Sequence, residues 1–350
     1  MELYEILNNS VEQQASDIFF IVGQPVSYKM RGVITKIVEE KLDAEASDRL
    51  VRKMYEMAGR DLVNREKGDD DFSLSLSKVG RFRINVFMQR GTWSAVLRVV
   101  NFELPDVEKM RIPHSVLDLS KKQKGLVLVT GSAGSGKSTT ISYIIEEINK
   151  NRNCHILTLE DPIEFLHKHK KGIVSQREMN IDSVSYSRAL KAAMRESPDV
   201  ILIGEMRDLE TIEIAMTAAE TGHLVLSTLH TVGAANTIDR IVDVFPPNQQ
   251  QQIRVQLSMV LQSIVSQQLL PSESLGLVPA FEVLMANSAI KTMIRDGKVH
   301  QIDTVIHSSA KEHMRSMDAS ILELYRQNLI TEETALTYCM NVESMKRGLK

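Results

Sequence analysis

This 350-residue sequence predicts an α/β fold: a parallel sheet, a smaller α+β domain ahead of it, and a helical C-terminal region. Three observations carry that expectation. First, four short apolar runs recur between helix-periodic stretches: Leu126–Val129, His155–Leu159, Val200–Ile203 and Leu224–Leu229. Short runs that are apolar throughout fit strands buried on both faces, as in a parallel sheet flanked by helices. Second, residues 72–76, 81–89 and 94–100 alternate apolar and polar, as half-buried antiparallel strands do. Third, apolar residues at helical spacing dominate beyond Pro247.

Taken in order, Leu3, Ile6, Leu7 and Val11 predict a first helix. Strands are expected over 17–22 and 26–37, broken by turns at Gly23-Gln24-Pro25 and Arg31-Gly32, followed by a helix over 44–59 and the three alternating strands. A domain over 1–100 results. Residues 101–116, with two prolines and mixed charge, read as a linker, and the second domain runs over 117–350. There the sheet domain extends to about Phe245, its last helix spanning 237–244 before Pro246-Pro247. Ile253, Leu257, Val260, Leu261 and Ile264 then predict one further long helix.

The ends of the apolar runs carry the chemistry. Leu126–Val129 leads into Gly131-Ser132-Ala133-Gly134-Ser135-Gly136-Lys137-Ser138, a complete G-x-x-x-x-G-K-[ST] loop. Its glycines let successive backbone N–H groups face phosphate oxygens, and the following helix adds its positive end. Residues 132–139, Thr139 included, are the expected phosphate cradle. Lys137 is expected at the β- and γ-phosphates, and Ser138 on Mg²⁺. ATP and Mg²⁺ are the implied cofactors.

Ligands bind at the carboxyl edge of a parallel sheet. Glu205 follows the third run and so lies at that edge, suited to the metal shell or to the attacking water. Asp199 precedes the same run and belongs at the opposite end. Glu160, Asp161 and Glu164 close the second run as a further acidic group. His230 ends the fourth run, within reach of a γ-phosphate, whereas His223 begins it. Arg81 and Arg83 share a strand face opposite Phe82, Ile84 and Val86. They either form a solvated face or supply an arginine to a phosphate held by a neighbouring subunit.

These segments resemble the four signatures of the type II/IV secretion ATPases: Gly131–Ser138, Thr158–Phe165, the segment ending Gly204-Glu205-Met206-Arg207-Asp208, and Gly222-His223 through His230-Thr231. Within that superfamily the chain is similar to the retraction motors of type IV pili, the PilT and PilU kinds, over essentially its whole length. The resemblance implies a RecA-like P-loop NTPase domain behind a PAS-like N-terminal domain. It also implies a homohexameric Mg-ATP-hydrolysing motor for twitching motility, with Glu205 as the Walker B acid, Glu164 as the catalytic glutamate, and His230 in the His box. Its implied partners are an inner-membrane platform protein and, in some systems, a second motor ATPase.

Residues Ala289–Asp296 stand where the family carries A-I-R-N-L-I-R-E; Lys291, Thr292, Met293 and Asp296 depart from it. Residues 165–171 and 318–331 resemble the PilU kind, and 207–211 and 217–221 the PilT kind. Assembly of pili or secretion filaments, or a low-activity accessory ring subunit, are the alternative readings. The family's assembly ATPases carry a four-cysteine zinc module, and this chain has only Cys154 and Cys339, which favours retraction.

Composition limits the other classes. A net charge of -3 argues against a motor tracking nucleic acid, whose channel is basic. No apolar segment approaches the ~20 residues that span a bilayer, and the first residues lack a signal peptide's pattern. The expected location is therefore cytoplasmic, with attachment to the inner membrane only through the pilus machinery.

Overall fold

The computed structural model describes residues 2–30, 32–62, 68–77, 79–100, 104–309 and 313–350. Arg31 of the expected turn and residues 101–103 of the expected linker lie outside them. The chain divides into two compact units, Met1–Glu103 with Glu164–Leu166, and Leu104–Ile163 with His167–Lys350.

In the first unit, helix α1 (Leu3–Glu12) precedes strands β1 (Asp17–Phe20), β2 (Pro25–Met30) and β3 (Val33–Lys41), helix α2 (Ala44–Met57), and strands β4 (Asp69–Leu76), β5 (Gly80–Gln89) and β6 (Thr92–Val100). The six strands form an antiparallel sheet in the order β3-β2-β1-β6-β5-β4. Alternation assigns one face to the core: Phe72, Leu74, Phe82, Ile84, Val86, Ala95 and Leu97 are buried with Val51 and Met54 of α2. Asp43 caps α2 by accepting from the Ala46 N–H at 2.7 Å.

The second unit opens with two single-turn helices, α3 (Val107–Met110) inside the expected linker and α4 (His114–Leu117) across its end. Strand β7 (Gly125–Thr130) leads into α5 (Lys137–Asn151). Then come β8 (His155–Glu160), β9 (Ile173–Glu178), α6 (Tyr186–Ala193), β10 (Val200–Ile203), α7 (Leu209–Glu220), β11 (Leu224–Leu229), α8 (Ala234–Asp243) and α9 (Pro247–Val260). Two long strands follow, β12 (Leu261–Ser272) and β13 (Gly276–Met285). Helices α10 (Ser288–Arg295), α11 (Ile302–Ser308), α12 (Met317–Arg326), α13 (Glu332–Tyr338) and α14 (Val342–Gly348) complete the chain.

The sheet order is β13-β12-β7-β11-β10-β8-β9, parallel except for β13. The two-residue period of each strand divides it between two cores. Leu126, Leu128, Ile201, Ile203 and Val225 face α6 to α10, while Val127, Val129, Val200, Leu202 and Leu226 face α5. Full burial of each such side chain stabilises by roughly 1.5–3 kcal/mol.

One expectation fails. The helix expected to run on through Ile264 stops at Val260, and residues 261–285 form the hairpin β12–β13 instead. β7 would otherwise be an edge, and β12 satisfies its hydrogen-bonding groups from Leu261 to Ser266. Ile264 and Val265, β-branched and buried on opposite faces, suit that strand. The family segment 289–296 falls on α10. Ile290 and Ile294 are buried, whereas the departures at 292 and 296 are exposed and those at 291 and 293 half-buried. Among the described residues, no helix is long and apolar enough to cross a membrane.

Candidate functional site

Because β7, β11, β10 and β8 are parallel, their carboxyl ends share one edge. Between β7 and α5 the loop turns through Gly131 (φ 144°), Gly134 (φ 75°) and Gly136 (φ 87°), conformations that glycine adopts without strain. A second reason for glycine comes from β12, which passes beside the loop. A Cβ on Gly131 would stand 2.2 Å from the Gln267 carbonyl oxygen, and one on Gly136 would stand 2.9 Å from the Gln267 Nε2. Buried Gln267 also accepts a hydrogen bond from Thr140 Oγ1 at 2.7 Å, joining the first turn of α5 to β12.

Ser132, Ala133 and Gly134 are exposed, and Ser138 and Thr139 half-buried. Lys137 is buried, its Nζ donating to the carbonyls of Gly131 at 2.9 Å and Ser132 at 2.8 Å, with His230 Nδ1 at 3.5 Å. An ammonium only donates, so Nδ1 must accept, which leaves the ring hydrogen on Nε2. Nε2 lies 3.3 Å from Glu205 Oε1. One imidazole therefore links the loop lysine to the carboxylate beyond β10. Glu205 Oε2 also pairs with Arg207 Nε at 2.7 Å.

Neighbouring strands fix that carboxylate's place. Ser227 Oγ donates to Ile203 O at 2.8 Å, Thr228 Oγ1 to Gly204 O at 2.5 Å, and Gly204 N to Leu159 O at 2.7 Å. Asp208, the last residue of the third signature, caps α7 through the Thr211 N–H at 2.8 Å. Beyond His230, Gly233 N donates to Ser266 Oγ at 2.9 Å and Ala234 N to Glu282 Oε1 at 2.7 Å. Hairpin β12–β13 thus holds the start of α8, and burial raises the pKa of the Glu282 carboxyl.

Lys137, Ser138, Glu205 and His230 are brought together. Glu160 borders them at the end of β8, accepting from Thr158 Oγ1 at 2.6 Å and Gln176 Nε2 at 3.1 Å. Glu164 groups with the first unit, as do Arg81 and Arg83. Both arginines lie on the polar face of β5, where Arg81 donates to Ser75 Oγ at 2.9 Å and Arg83 makes a two-pronged pair with Asp71. Asp199 lies at the opposite edge, accepting from His155 N at 2.8 Å, and His223 Nδ1 meets Ala218 O at 2.9 Å.

Sequence reasoning missed Gln267, Ser266 and Glu282 because it placed their neighbourhood on a helix. Ile264 and Ser266 are buried on one face and Val265 and Gln267 on the other, so no two-residue alternation marked the strand, and the β-branched pair Ile264-Val265 was the available signal.

The loop fits a nucleotide's phosphates. Its exposed rim is serine, alanine and glycine, its glycines turn in the left-handed region, and the buried Ser135 Oγ has no hydrogen-bond partner among the described residues. No group of three His, Cys, Asp or Glu side chains among those residues is placed to hold a metal ion. The oxygen donors Ser138 and Glu205 fit instead the manner of Mg²⁺, which takes one or two protein ligands and completes its shell from phosphates and water.

Comparison with known proteins matches residues 2–337 to the family described as type II/IV secretion system protein. The chain is 40% identical over 344 residues to the twitching motility protein of Neisseria gonorrhoeae, covering 98% of this chain and 92% of that one. It is 41% identical over 342 residues to the type IV pilus retraction ATPase PilT of Pseudomonas aeruginosa, covering 96% and 97% respectively. Among solved structures, that of the pilus retraction motor PilT with bound ADP superposes with a TM-score of 0.90 at 43% identity, covering 99% of both chains.

Proposed function

Because the chain belongs to the type II/IV secretion system protein family, we propose that it is the ATP-hydrolysing motor of type IV pilus retraction. One observation within the site carries the reading: His230 joins the loop lysine to Glu205, so one side chain couples the phosphate loop to the carboxylate suited to the attacking water. Lys137 donates to two loop carbonyls, and in the loaded site it exchanges them for β- and γ-phosphate oxygens. The N–H groups of residues 132–139 cradle the phosphates, and the amino end of α5 adds its positive field. Ser138, and Glu205 through water, would hold Mg²⁺, which would supply charge neutralisation to the phosphates.

Release of His230 by Lys137 leaves the imidazole free to turn toward the γ-phosphate and frees one oxygen of Glu205 for the attacking water. Glu164 is the second carboxylate of the mechanism, and Arg81 or Arg83 acts on the phosphate of a neighbouring subunit in a homohexamer. Closure of one subunit on the next then converts binding energy into movement. The ring works at the cytoplasmic face of the inner membrane, through a platform protein.

The test is made in cells. Deletion of the gene, beside a Glu205→Ala strain, should give more surface pili by electron microscopy together with lost twitching. Bald cells would mean that this motor builds filaments, and retraction would be refuted.

A further inference from the structure

Tyr186 opens α6 with its ring against the core of the second unit, yet its hydroxyl emerges at the nucleotide edge. A Cβ on Gly204 would stand 2.8 Å from that hydroxyl oxygen, 3.1 Å from Leu159 O and 3.3 Å from Glu160 Cα. The phenol oxygen therefore sits over Gly204, in the gap between the ends of β8 and β10. Glu205 follows on one side, and Glu160 and Asp161 lie on the other. The absence of a side chain at 204 is what admits it.

We propose that Tyr186 is a positioning residue of this site: its hydroxyl donates a hydrogen bond into the water shared by Glu205 and the Glu160–Asp161 corner, fixing the carboxylate that orients the attacking water. The role rests on the ATPase reading above. All three neighbouring acids only accept when ionised, and the donors beside them (Arg207 Nε and His230 Nε2 on Glu205, Thr158 Oγ1 and Gln176 Nε2 on Glu160) are already engaged by those carboxylates, so water at this edge needs a further donor. A phenol supplies one without adding charge. Burial and the charges of Asp161, Glu160 and Glu205 push its pKa upward, so it stays protonated as a donor. Its place on a helix packed into the core gives the hydroxyl a fixed aim, as preorganised donors require.

Tyr186→Phe removes only the oxygen. Steady-state ATPase assays should show kcat about tenfold lower, with KM for ATP and Kd for ADP within about twofold and the melting temperature unchanged. A second readout locates the hydroxyl without using activity. Gly204→Ala should lower the melting temperature of the nucleotide-free protein, and should lower it less in the Tyr186→Phe background, because the nearest clash is with the missing oxygen.

Equal penalties in the two backgrounds would overturn the placement of the hydroxyl. An active wild-type protein whose Tyr186→Phe form turns over within about twofold of it would overturn the positioning role alone. So would a Phe variant whose KM and melting temperature shift along with kcat, since that marks a packing defect. A wild-type protein without turnover would sink the ATPase reading, and this role with it.

Discussion

Replacing Gln267 by leucine tests whether β12 supports the phosphate loop. Leucine keeps roughly the volume, so little cavity forms, but the hydroxyl of Thr140, a residue only 1% exposed, loses the acceptor that it meets at 2.7 Å. A buried hydroxyl left without a partner costs about 1–3 kcal/mol. For a unit of this size that is a melting shift of about 2–12 °C. Nucleotide affinity should fall as well, because the same side chain lies against Gly136.

The assay is thermal unfolding of the nucleotide-free protein, with ADP affinity measured beside it. Thr140→Val supplies the control. Removing both partners of a buried hydrogen bond is far less costly than removing one, so the double variant should be more stable than the sum of the two single effects by about 1 kcal/mol or more. A Gln267→Leu protein melting within about 0.5 kcal/mol of wild type, or strictly additive effects, would refute the coupling between strand and loop.

Three further outcomes are expected. Glu205→Ala should cut ATPase turnover by about two to three orders of magnitude while ATP still binds, and near-normal hydrolysis would remove Glu205 from its role. Arg81→Ala and Arg83→Ala should each lower turnover of the assembled protein without abolishing nucleotide binding; unchanged turnover in both would end the trans-arginine reading. Burial holds the Glu282 carboxyl above the ordinary glutamate pKa, so the folded state binds this proton more tightly than the unfolded state does. The stability it contributes is full below the unfolded value and is lost as pH rises through the raised, folded value. Glu282→Gln keeps an acceptor for the Ala234 N–H, so urea unfolding across that window should show a flatter pH dependence; an unchanged slope would assign the titration to another group.

Much of this protein was legible without coordinates, because the features concerned are local. The spacing Gly131-x-x-x-x-Gly136-Lys137-Ser138 defines a loop by its own backbone needs. Continuous apolar runs with a polar terminus say which end of each buried strand carries Glu205 or His230. The alternation around Phe82, Ile84 and Val86 separates a buried face from the one bearing Arg81 and Arg83. These patterns need no knowledge of what lies opposite.

Tertiary structure decided the rest. Apolar spacing over Ile253–Ile264 fits a helix and a doubly buried strand alike; the open edge of β7 selected the strand from Leu261 onward, since its backbone groups required a partner. That one choice placed Gln267 against the loop glycines, Ser266 on Gly233 and Glu282 on Ala234, contacts between residues 33 to 136 positions apart. Likewise, His230 could be named from its strand end, but its position between Lys137 and Glu205 depends on the order β7-β11-β10, in which its own strand lies between theirs. Periodicity reports which face of a segment is buried, and only the packed sheet determines which residues it meets.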